Sequence, residues 1–142
     1  MTLADLAPLA LLGATSLALQ KGPSEAHAFA APEGMTLVCV SDEIMSFEDT
    51  VAILIIPERL ISVDSSPIHL AGALGRPAWV MLPFVAEWLG LLERKNSPCY
   101  LSLQLFRQSR ANVWQAVLQA MAAALGALKA EMTSKLNTLV RS

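Results

Sequence analysis

LISVDSSPIHLAGALGRPAWVMLP, residues 60–83, reads as a strand, a tight polar turn, a short helix and a second strand. Residues 60–63 form a short apolar, β-branched run of the kind buried on both faces of a parallel sheet. Asp64-Ser65-Ser66-Pro67 follows at once. Ser65 or Ser66 can cap the coming helix, and Pro67 suits its first turn, where the missing N–H would be unpaired anyway. Such a helix starts just past the carboxyl end of a strand, where open α/β sheets bind ligands. Its free N–H groups and the positive end of its dipole attract phosphate. His69, one helical turn after Ser65, puts its ring on the same face as the helix mouth.

Working outward, residues 14–19, 36–40 and 78–82 are apolar runs that match the strand at 60–63, and 103–106 is a last short strand. Helical or loop segments separate them, so the expected fold class is α/β. Residues 1–142 then form a single Rossmann-like domain, a parallel sheet flanked by helices. Residues 21–34 hold two prolines, two glycines and the helix-capable SEAHAFAA. Ser46-Phe47-Glu48-Asp49 is a capping box that opens a helix, and Pro57 ends it. Residues 84–94 carry a further helical pattern, broken by Asn96-Ser97-Pro98. Beyond Asn112, Val113, Val117, Met121, Leu125 and Leu128 recur at helical spacing without a proline, which predicts one long C-terminal helix. Neither internal repeats nor low-complexity linkers interrupt the chain.

The composition is 54% hydrophobic and only 15% charged. That is enough to bury a core, and it leaves apolar surface for a partner. A net charge of −2 supplies no basic field for nucleic acid. Cys39 and Cys99 lie far apart with no CxxC, the pattern of buried, reduced thiols. His27 and His69 are the only histidines and no carboxylate cluster accompanies them, so no metal is expected. Residues 6–19 are apolar but interrupted by Pro8 and Gly13, and Asp5 stands where a signal peptide carries positive charge. The expectation is an amphipathic start, no membrane span and a cytoplasmic protein. There is no GxGxxG and no P-loop lysine motif.

SVDSSPIHLAGALGRPAWVMLP also resembles the diphosphate-binding segment of the C-terminal half of GT-B glycosyltransferases. The nearest likeness is to the heptosyltransferase-like family and to bacterial tetratricopeptide-repeat proteins with the same domain. Asp64, Ser65, Ser66, His69, Leu70, Gly72, Leu74, Gly75, Pro77, Leu82 and Pro83 fall on their pattern. SLALQKGP (16–23), FEDTVAIL (47–54) and SPCYLSLQLFRQ (97–108) extend it, so it covers about residues 12–125. EWLGLL and SPCYL stand where the relatives often read DWRWLL and SPWYP, so the pocket rim differs.

The resemblance implies a donor domain that binds a nucleoside diphosphate of a sugar, with no cofactor and no metal. Gln20, Lys21, Asp64, Ser65, Ser66 and His69 would hold the diphosphate. Lys21 and His69 would act catalytically by stabilising the leaving group, with Arg76 a weaker cation. Glu48, Asp49, Pro83 and Phe84 would border the nucleoside or its ribose, while Trp88 packs in the core. The acceptor domain would come from an N-terminal GT-B half that these residues do not supply, or from a partner chain. The rival expectation is an inactive remnant that serves protein association, with homo-oligomerisation as its sign.

Overall fold

The structure, a computed structural model, describes residues 2–10, 14–22, 30–85, 97 and 99–140. A 3₁₀ helix at Leu3–Leu9 opens the chain, and β1 (Thr15–Ala18) and β2 (Thr36–Cys39) follow. Next come α1 (Phe47–Leu54), β3 (Leu60–Val63), α2 (Ser66–Ala73), β4 (Ala78–Leu82), β5 (Leu103–Arg107) and α3 (Gln115–Val140). All five strands are parallel to their partners, as the apolar runs predict. They stand in two small sheets, a pair β1-β2 and a triplet β3-β4-β5. Most of the helix-capable SEAHAFAA, including His27, most of the 84–94 helical pattern and Trp88 lie outside the described residues.

β4 is the central strand of the triplet, and all five of its residues are buried. Alternation along a strand sends them to opposite faces. Ala78, Val80 and Leu82 pack with Leu54 of α1, Ile68 and Ala71 of α2, and Leu103 and Leu105 of β5. Trp79 and Met81 pack on the other face with Leu9, Val117, Leu118 and Met121. The triplet is therefore sandwiched between α1 and α2 on one side and α3 with the 3₁₀ helix on the other. Leu19 joins the first cluster and Met35 the second, which ties the β1-β2 pair to the same body. On the α3 side Trp79 meets Phe106 at 5.2 Å between ring centroids, and the Arg59 guanidinium lies 4.7 Å over the Trp79 ring.

The caps follow the local sequence. Ser46 Oγ accepts from the Asp49 N–H, and Asp49 Oδ2 accepts from the Met45 and Ser46 N–H groups at 2.9 and 2.8 Å. α2 ends in a Schellman motif. Gly75 takes φ +65°, its N–H donates to Gly72 O at 3.1 Å, and the Arg76 N–H donates to Ala71 O at 2.8 Å. The Arg76 side chain reaches back to Ile55 O and Pro57 O, so it pins the α1–β3 connection instead of facing a ligand. α3 starts after Val113, which is exposed; Val117 and Met121 are buried, and from Glu131 to Leu139 every side chain is exposed. Cys39 is half-buried and Cys99 exposed, both reduced, so the buried-thiol expectation fails for Cys99. No helix among the described residues is long and apolar enough to cross a membrane.

One prediction arises from the α1 cap. The Met45 N–H, then the Ser46 side chain and N–H, and last the Lys21 charge hold the Asp49 carboxyl below its ordinary value. A depressed carboxyl contributes stability above its unfolded pKa and loses it as pH falls through the folded one. Thermal midpoints should therefore fall on acidification below about pH 4, and less steeply for Asp49→Asn. Equal slopes for the two proteins would contradict this assignment.

Candidate functional site

Parallel strands bring their carboxyl ends to one edge, and at the triplet this edge gathers three segments. Asp64, Ser65 and Ser66 follow β3; Pro83 and Phe84 follow β4; Gln108 follows β5. Pro67 occupies the first turn of α2, as expected. Ser65 is the N-cap residue, but its hydroxyl makes no cap bond. It pairs instead with Ser62 Oγ at 3.0 Å, because the alternation of β3 places the Ser62 hydroxyl beneath the turn. The Ser65 hydroxyl is thus taken by the serine pair, while the Ser65 carbonyl accepts from the Ile68 and His69 N–H groups at 3.0 and 3.4 Å.

His69 turns back to this mouth. Its Nε2–H donates to Asp64 Oδ1 at 3.2 Å, across partly exposed surface in which the two side chains keep 31% and 37% of their exposure. The Asp64 carboxylate therefore orients the imidazole and sets its tautomer. Behind the histidine stands Tyr100, edge to face, with ring centroids 6.0 Å apart and 69° between planes. The same tyrosine ring rests on Gly72, one turn further along α2. A Cβ there would lie 2.5 Å from Tyr100 Cγ, so only glycine admits the ring.

Gln20 and Lys21 lie at the carboxyl end of β1, in the other sheet, and both are exposed. Lys21 Nζ donates to Ser41 O at 3.3 Å and also to Ile44 O. It thus closes the carbonyl end of the 3₁₀ turn Ser41–Glu43, a role that residue spacing alone did not suggest. An ammonium has three donors, so two carbonyls leave one. Asp49 is committed to its cap. Glu48 is exposed beside it, with its carboxyl lowered by its own N–H and by Ser46.

Of the residues expected to bind a diphosphate, Asp64, Ser65, Ser66 and His69 are gathered at one turn. Lys21 and Asp49 form a second group around the start of α1. Ser62 and Gln108 join the edge, and Tyr100, from the segment entering β5, backs His69, without having been singled out. The signals for them were slight: the serine two residues before Asp64, a glycine one turn after His69, and the glutamine ending LFRQ. Among the described residues, no group of three His, Cys, Asp or Glu side chains could hold a metal ion. Comparison of the chain with protein families, with curated proteins and with solved structures finds no match.

Proposed function

We propose that the chain binds a nucleoside diphosphate of a sugar as the donor domain of a GT-B-type glycosyltransferase. The observation that carries this reading is the Asp64–His69 pair beside an uncapped helix mouth, at the carboxyl edge of a parallel sheet. The Ser66 N–H and the Ser65 and Ser66 hydroxyls would donate to the diphosphate oxygens. His69, oriented by Asp64, would lie beside the leaving diphosphate at the start of α2 and help to stabilise the charge that builds on it. Lys21 would contribute its remaining N–H from the neighbouring sheet. The resemblance of residues 60–83 to the family segment supports the assignment of nucleotide sugar over other phosphates. The acceptor is bound elsewhere, and sugar transfer needs that second site.

Calorimetric titration with UDP, GDP and ADP tests the reading. Saturable binding of at least one is expected, weakened roughly ten-fold or more in His69→Ala, as befits a hydrogen bond to a charged group. The thermal midpoint of the variant should stay close to the parent's, because His69 is part-exposed. A folded chain that binds none of the three contradicts the proposal.

A second reading, protein association, is favoured by the end of α3. Met132, Leu136 and Leu139 keep 39%, 62% and 72% of their exposure on a helix that outruns the core. A strict monomer in sedimentation equilibrium would remove it as self-association.

A further inference from the structure

Ser97 is only 2% exposed, in the segment that enters β5. Its Oγ accepts from the Cys99 N–H at 3.2 Å and from the Tyr100 N–H at 3.4 Å. A serine hydroxyl that turns back on the N–H groups following it closes a local turn. The Tyr100 carbonyl is held as well, accepting from the Leu103 N–H at 3.2 Å, and the Ser97 N–H donates to Leu103 O at 3.4 Å. The main chain of Tyr100 is therefore tied on both sides. Its ring rests on Gly72 and packs against the cluster that holds Leu54, Ile68 and Leu103. From that seat the ring meets His69 edge to face, with centroids 6.0 Å apart.

His69 depends on such a support. Its bond to Asp64 spans part-exposed surface, where a charge pair contributes little and does not by itself keep two side chains in one rotamer. The aromatic contact adds an attraction with a preferred geometry. Tyr100 cannot recoil from it, because Gly72 leaves room for the root of the ring against α2 and Ser97 fixes the backbone behind it. We infer that the Ser97–Tyr100 turn positions His69 at the start of α2, with Ser97 and Tyr100 as positioning residues; its consequence for binding rests on the nucleotide reading above. A histidine already held in one rotamer loses little freedom when a diphosphate arrives, so affinity gains from the turn although the turn itself touches no ligand.

The test joins two measurements on the wild type, Tyr100→Phe and Tyr100→Leu. NMR three-bond couplings about the His69 Cα–Cβ bond, taken without ligand, report whether the side chain keeps one rotamer. Calorimetry with UDP, GDP and ADP reports affinity. The wild type and Tyr100→Phe, which keeps the ring, should show single-rotamer couplings and affinities within about two-fold of each other. Tyr100→Leu should show averaged couplings and bind the preferred nucleotide roughly three- to ten-fold more weakly, the range of an aromatic pair. Ser97→Ala, which keeps the tyrosine and frees its turn, serves if the leucine variant does not fold. Averaged couplings in the wild type, or single-rotamer couplings in folded Tyr100→Leu, overturn the inference whatever the nucleotides do. So do averaged couplings in Tyr100→Leu with undiminished affinity, and in that case the nucleotide reading stands. A wild type that binds none of the three removes the nucleotide reading and the consequence for binding, and the couplings alone then decide whether the turn positions His69.

Discussion

Gly72→Ala should destabilise the chain by about 1–3 kcal/mol, the usual result of overpacking. Two effects compete at this position. Helix propensity alone favours alanine over glycine by about 1 kcal/mol. Against it, the added methyl would sit 2.5 Å from Tyr100 Cγ and 2.8 Å from both Cδ atoms. Those atoms are the root of the ring and not a flexible tip, so the whole tyrosine must move. The clash wins, and the thermal midpoint should drop by roughly 3–10 °C. Tyr100 also packs edge-on to His69, so the displaced ring loosens the histidine, and nucleotide affinity should fall with stability. A Tyr100→Ala change in the same chain relieves the clash, and the double variant should lose less than the two single losses summed. Gly72→Ala as stable as the parent, or more stable, would show that this contact does not constrain α2.

Ile68→Ala should have a still larger effect, about 2–5 kcal/mol. Ile68 is fully buried in the cluster that α1, α2, β4 and β5 form on this face of the sheet. Since a domain of this kind holds only about 5–15 kcal/mol in total, that loss is a large share. Met121→Ala, on the α3 face of the same strand, should cost a similar amount. The two sites share no partner because the sheet separates them, so their losses should add to within about 0.5 kcal/mol. Urea unfolding of the two single variants and the double would measure this. Strong non-additivity would mean that the two faces of β4 do not form separate clusters. Ile68 adjoins His69 on α2, so its truncation also tests whether the core seats the site helix.

Much of this architecture is legible in the sequence. Apolar runs bounded by Pro, Gly, Asp and Ser locate all five strands to within a residue or two. β4 reads as a continuous hydrophobic run because a parallel strand between two helical layers is buried on both faces. The Ser46–Asp49 box and Pro67 mark helix starts because capping is local chemistry. Partners distant in sequence stay hidden. Nothing in QKG reveals that Lys21 closes a turn 20 residues away, and a glutamine after LFR looks like any surface residue until β4 and β5 pair. The separation of β1 and β2 from the triplet is equally invisible, because every parallel strand carries the same pattern. At the site, His69 facing the helix mouth follows from helical spacing. Its bond to Asp64 does not, because that depends on the rotamer of each side chain. The serine pair, likewise, turns on Ser65 choosing Ser62 over its own helix.

Backbone amide NMR during titration with UDP and GDP tests the donor site most directly. Saturable shifts concentrated on Asp64, Ser65, Ser66, Ile68 and His69, with smaller ones at Phe84, are the predicted result. Shifts that stay absent up to millimolar nucleotide, or that gather on α3 and leave the start of α2 unmoved, would contradict a nucleotide seat at the carboxyl edge of this sheet.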